Sequence, residues 1–136
     1  MKKLFSTTTG FVQINISLLI LRLGIGALML THGWPKLLRL FEGGEIFFPD
    51  PLGIGSLMSL IMASLAEVAG SVLVMLGLAT RLAAASLAFT MFVAAFVVHA
   101  DDPFQRKELG LMYLLVYIVL IITGSGRYSV DRLIRK

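Results

Sequence analysis

Two ionised side chains stand inside long apolar stretches of the chain. Arg22 lies within Ile14–Gly33 and Glu67 within Ser56–Leu78. A charge in bilayer hydrocarbon costs roughly 2.5–3.5 kcal/mol even on the lenient insertion scale, so such groups persist where a partner, water or a ligand meets them. At 1.5 Å per helical residue, Arg22 sits about 12 Å beyond Ile14 and Glu67 about 15 Å before Gly77. The depths agree to about 3 Å, and this spacing predicts an Arg22–Glu67 ion pair joining the first two helices. Ser64, Gly70 and Ser71 beside Glu67, and Gly24 and Gly26 beside Arg22, would admit a ligand or another helix. Small residues serve plain helix packing as well, and a buried pair can be purely architectural.

Further along the first helix, His32 and Lys36 are four residues apart and share a face. His99 ends the third apolar stretch, and Lys107 and Glu108 open the fourth. His32, Lys36, His99, Lys107 and Glu108 are therefore expected to converge at one mouth of the helix set, above Arg22 and Glu67. A polar funnel with apolar walls suits an amphipathic ligand; interfacial histidines without a task are the plainer reading. Haem ligation by His32 and His99 is a weaker reading of the same pair. Phe89, Phe92 and Phe96 form one aromatic stripe, and Tyr113 and Tyr117 form another. Both are expected in helix packing or lipid contact, on surfaces that would also suit a quinone ring. Phosphate-loop, dinucleotide, HExxH and nucleophile-elbow patterns do not occur.

The elements that position these residues follow from composition. Of 136 residues, 57% are hydrophobic and 15% charged, against about half and a quarter in a soluble domain; the mean hydropathy is +0.90. The absence of cysteine excludes a disulfide scaffold, Cys-ligated iron–sulfur clusters and thiol redox cycling. A net charge of +4 in so apolar a chain reads as membrane orientation and gives no reason to invoke nucleic acid. A spanning helix needs roughly 20 apolar residues. Four stretches are expected to span, at about 14–34, 56–78, 81–99 and 107–123. They make the chain, residues 1–136, a single all-α domain: an integral membrane, antiparallel four-helix bundle. Pro35 is expected to break the first helix near Trp34 and to start a short interfacial helix, Lys36–Glu42. Gly77 closes the second helix, Thr80 is the expected N-cap of the third, and Ser129–Lys136 reads as a short basic tail helix. The first stretch is too long for a signal peptide and lacks a cleavage site, so it reads as retained.

Orientation follows from the basic residues beside the spans. With both termini cytoplasmic, the inner side carries Lys2, Lys3, Arg81, Arg127, Arg132, Arg135 and Lys136, and the outer side Lys36, Arg39, Arg106 and Lys107. Seven against four places both ends inside. The expected location is the bacterial inner membrane.

With Leu21-Arg22-Leu23-Gly24, His32-Gly33 and Lys36 in the first half, Ala66-Glu67-Val68-Ala69-Gly70 and Leu76-Gly77-Leu78-Ala79-Thr80-Arg81 follow in order. On these pieces the sequence resembles the DoxX family of small four-span membrane proteins, over about residues 17–123. It departs at Ala69-Gly70-Ser71, where the family often carries a glycine pair. The resemblance implies a compact membrane bundle. It also implies a tie to membrane redox complexes, some members being similar to subunits of a thiosulfate:quinone oxidoreductase. Without cysteine, such a chain would bind a quinone or support a partner protein that holds the cofactor. The expected role is a quinone-associated accessory subunit, with redox partner proteins or further copies of itself as neighbours in the bilayer. The other reading is a non-catalytic scaffold or carrier of a lipophilic ligand or partner. A small-solute transporter fits less well, since no inverted repeat is visible.

Overall fold

A computed structural model describes Leu4 and residues 6–136; Lys2 and Lys3 of the orientation argument lie outside the described residues. All regular structure among them is helical. Helix α1 runs Phe11–Glu42, α2 Ser56–Leu76, α3 Thr80–Val93, α4 Phe104–Thr123 and α5 Val130–Ile134, and a π-helical turn, Ala94–Val98, continues α3. The helices pack in chain order, α1 on α2, α2 on α3 and α3 on α4. Three of them are long and apolar enough to cross a membrane: α1, α2 and α3 with its π turn, Thr80–Val98. Helix α4 opens with Arg106, Lys107 and Glu108 and is apolar from Leu109 onward. Ile20, Leu28, Leu65, Leu82, Leu115 and Ile122 are among many large apolar side chains turned outward. Such a surface belongs against lipid.

The break expected at Pro35 does not occur, and Lys36–Glu42 is the continuation of α1. Proline deletes one backbone hydrogen bond and crowds the carbonyl four residues back, at a cost of about 3 kcal/mol in an isolated helix. Contacts on either side of the proline offset this. Gly33 lies against α2 so closely that an added Cβ would come within 2.8 Å of Glu67 Cβ, and Lys36 pairs with Glu67. In a medium without water, moreover, unwinding the helix would expose further backbone groups.

At the other end, α2 closes on Gly77 in the left-handed region, φ 70°. Gly77 N–H donates to Val74 O and Leu78 N–H to Leu73 O, the paired bonds of a Schellman ending. Thr80 is not the N-cap of α3. Ala79 holds that position in a left-handed conformation, φ 47°, with no side-chain cap of its own. The carboxylate comes from the tail instead: Asp131 accepts from Ala79 N–H at 2.7 Å and Thr80 N–H at 3.1 Å. Asp131 N–H in turn donates to Gly77 O at 2.9 Å, so α5 is fastened to the α2–α3 turn.

Burial pushes the pKa of Asp131 up, but the bonds from Thr80 and Ala79 outweigh it and hold the carboxyl below its usual range. A group whose folded pKa is depressed stabilises fully above its unfolded value, about 3.9, and loses that contribution as pH falls through the folded value. The Asp131→Asn protein should therefore melt lower at pH 7 by about 1 kcal/mol, the usual worth of a helix cap. It should also lose less stability than wild type between pH 5 and 3. Melting curves in detergent across that range check both; equal acid sensitivity would remove Asp131 from the cap.

Candidate functional site

Arg22 and Glu67 are each 1% exposed, yet they do not meet. The guanidinium of Arg22 lies level with the α2–α3 turn, its Nε donating to Val74 O at 3.0 Å and one terminal nitrogen to Met75 O at 3.3 Å. The same nitrogen reaches Tyr128 O at 2.9 Å, and the other donates to Ser125 O. Arg22 thus serves carbonyls of the last turn of α2, sharing Val74 O with Gly77 N–H, and binds them to the segment after α4. The expected ion pair fails on register. Gly33, not Arg22, is level with Glu67, and eleven helical residues between Arg22 and Gly33 amount to about 16 Å.

Glu67 pairs with Lys36, Nζ to Oε1 being 2.5 Å. Its second oxygen, Oε2, is buried and has no hydrogen-bond partner. The Lys36 side chain is 29% exposed, and its ammonium makes no hydrogen bond besides that to Glu67 among the described residues, which leaves N–H donors for another acceptor.

This pair lines a cavity of about 180 Å³ that also touches His32, His99, Lys107 and Tyr113. The predicted convergence of His32, Lys36, His99 and Lys107 is therefore present, with Glu67 as its floor in place of an Arg22–Glu67 pair. Glu108 is exposed and outside the lining, and its neighbours Arg106 and Lys107 take that side. Helix α4 contributes Tyr113 and Tyr117, both buried with rings 6.2 Å apart. His32 meets Tyr113 edge to face at 5.7 Å. The Tyr117 hydroxyl, like Glu67 Oε2, is buried without a partner.

His99 owes its place to the π turn. Its N–H bonds back five residues to Ala94 O, so the helix gains one residue per turn there, a feature that recurs at functional sites. His99 Nδ1 lies 2.6 Å from Asp102 Oδ2. That hydrogen bond, more than the nearby Arg106 and Lys107, holds the Asp102 carboxyl below its usual range. An ionised carboxylate only accepts, so Nδ1 carries the hydrogen and Nε2 is the ring nitrogen left free to exchange a proton. Asp102 was not among the residues predicted for the site. The His99–Asp102 spacing of three residues was visible, but not the turn that makes them face.

A second, apolar cavity of about 330 Å³ lies between α2 and α3, roofed by Phe48, Pro49, Pro51 and Leu52. Lys36, Glu67, Ala94 and His99 line both cavities. The loop that forms the roof is held by Asp50, which accepts from Ile54 N–H, Gly55 N–H and Ser59 Oγ–H at 2.8–2.9 Å. Chiefly through the Gly55 and Ser59 bonds, this carboxyl too is drawn below its usual range.

The DoxX family model matches residues 17–100, which include Arg22, Lys36, Glu67 and His99. The chain belongs to the DoxX family. Its relatives agree over nearly the whole length. The Bacillus subtilis (strain 168) protein named "Putative oxidoreductase CatD" is 35% identical over 125 residues, 90% of each chain. "Inner membrane protein YqjF" of Escherichia coli (strain K12) is 29% identical over 126 residues, 90% of this chain and 95% of its own. A Haemophilus influenzae protein, "Uncharacterized protein", is 31% identical over 121 residues, 82% and 85% of the two chains. No solved structure matches this DoxX chain.

Proposed function

We propose that this DoxX-family membrane protein is an accessory subunit of a redox complex in the bacterial inner membrane and holds a quinone at the Lys36–Glu67 pair. The observation that carries the reading is the buried Glu67 carboxylate, paired on one oxygen and unpartnered on the other, beside a lysine with N–H donors to spare. A quinone offers what this donor set lacks: a neutral carbonyl that accepts from Lys36 Nζ, and in reduced form a hydroxyl that donates. When bound it would supply the electron chemistry. The chain's own residues would orient the ring and, through His99 Nε2, exchange protons with the polar cavity. The name of the Bacillus subtilis relative, an oxidoreductase, points the same way. In this reading α4 is the fourth span, Lys107 and Glu108 reaching the interface from its first turn, and the four spans run antiparallel as one domain with both termini cytoplasmic. Partner proteins would carry any further cofactor, and self-association would use the exposed apolar faces.

The test is direct. Protein purified in mild detergent should release a quinone into organic extract, and decylubiquinone added to quinone-depleted protein should raise its melting temperature. A ligand at a hundred times its Kd adds about 2.7 kcal/mol to stability. Lys36→Gln should lose the shift. Wild-type protein that neither retains a quinone nor responds to one overturns the reading. One observation favours the second reading, a scaffold without a ligand: all the contacts of Arg22 are structural bonds to backbone carbonyls.

A further inference from the structure

We infer that the ligand's hydrophobic body lies in the apolar groove beneath residues 48–54, reached sideways from the bilayer between α2 and α3, and that the polar cavity is the water side of the same site. This rests on the reading of Lys36–Glu67 as a ligand site.

Size separates the two spaces. Small-molecule sites run from about 300 to 1,000 Å³; the groove, at about 330 Å³, falls inside that range and the polar cavity, at about 180 Å³, below it. Wall chemistry separates them again. Ala63 and Ala66 of α2 and Phe89 and Val93 of α3 line the groove, small residues together with flat or branched ones, which suits a ring. The polar cavity is bordered by His32, Lys107 and Arg106, groups that hold water. The junction is a single place, since Lys36, Glu67 and His99 border both.

The junction also selects the head group. Lys36 and Glu67 together carry no net charge, so an anionic head drawn to the ammonium would be repelled by the carboxylate beside it. A bare hydrocarbon would leave the Lys36 donors unmet. The occupant with matching chemistry is a flat lipophile ending in an uncharged carbonyl. The roof above it is stiff because Asp50 ties the loop to the start of α2 through three hydrogen bonds; access is therefore through the open flank where Met62 and Phe89 face lipid.

Filling the slot tests this. Ala63→Phe is expected to weaken decylubiquinone binding tenfold or more, read as loss of the thermal shift and by titration, while the melting temperature without ligand stays within 2 °C of wild type. Ser86→Phe, on the α3 wall at an exposed position, should do the same and keeps the test open if the first variant folds poorly. Leu115→Phe, which faces outward from α4, should bind as wild type does. Normal binding by both groove variants, with Lys36→Gln still abolishing it, would overturn the groove and leave the function standing. Wild-type protein that binds no decylubiquinone would overturn both.

Discussion

Replacing Arg22 by methionine is expected to cost about 3–5 kcal/mol, since each buried acceptor left unsatisfied costs about 1–3 kcal/mol. Methionine fills much of the same volume, so the loss would come from the four backbone carbonyls that Arg22 serves, those of Val74, Met75, Ser125 and Tyr128. The first two belong to the last turn of α2, where unpaired carbonyls gather partial negative charge and a cation is favoured. The last two lie in the segment between α4 and α5. Their release should free the tail, so limited proteolysis beyond Gly124 ought to quicken by more than the global loss of stability explains. Arg22→Lys should fall between, since a compact ammonium cannot span the carbonyls that a planar fork reaches. A methionine variant that melts within 1 kcal/mol of wild type, with its tail still protected, would show that these bonds hold nothing.

The second large effect is an asymmetry. Lys36→Met should destabilise by about 3–5 kcal/mol, because it leaves Glu67 as a buried carboxylate with no counter-charge. Glu67→Gln should cost only about 1–2 kcal/mol, the worth of a hydrogen bond weakened at one end, because Lys36 is 29% exposed and can turn its ammonium to water. The double variant Lys36→Met with Glu67→Leu should recover most of the loss, as apolar replacements of buried pairs commonly do. Thermal melts of the four proteins in one detergent check the ranking. Equal costs for the two single variants would mean that Glu67 is neutral in the folded protein. The double variant also separates the two functional readings: a scaffold would keep its cellular role in that background, and a quinone site would lose it.

Much of this was legible in the chain. Arg22 and Glu67 were conspicuous because charges are rare in apolar stretches, and both are buried. The cluster of His32, Lys36, His99 and Lys107 followed from helix phase and from the ends of the stretches. What could not be read was register along the helix axis. Counted from Ile14, Arg22 comes out level with Glu67, but α1 begins at Phe11 and passes through Pro35 to Glu42. In the register that the helices adopt, Gly33 is level with Glu67, Lys36 reaches the carboxylate from one turn further along, and Arg22 falls to the turn. Proline rules describe a helix with no neighbours, and here Gly33 and Lys36 are held by α2 on either side of it. The π turn was invisible for another reason. Ala94–Val98 is apolar and helical by any pattern, and the extra residue shows only in the bond from His99 to Ala94 O. Asp131 and Asp102 were missed because each acts on backbone or side chains that the fold, not the sequence interval, brings close.

The reach of Arg22 has a consequence for how the protein is made. Two of the carbonyls that satisfy it lie 103 and 106 residues downstream. As the chain leaves the ribosome, the opening helix must enter the translocon long before those partners exist, and its guanidinium must stay hydrated at the membrane edge meanwhile. Burial of the arginine is completed only once residues 125–128 are in place, which makes that segment a checkpoint: nascent chains released short of Tyr128 would present an unsatisfied arginine to the quality-control proteases of the membrane.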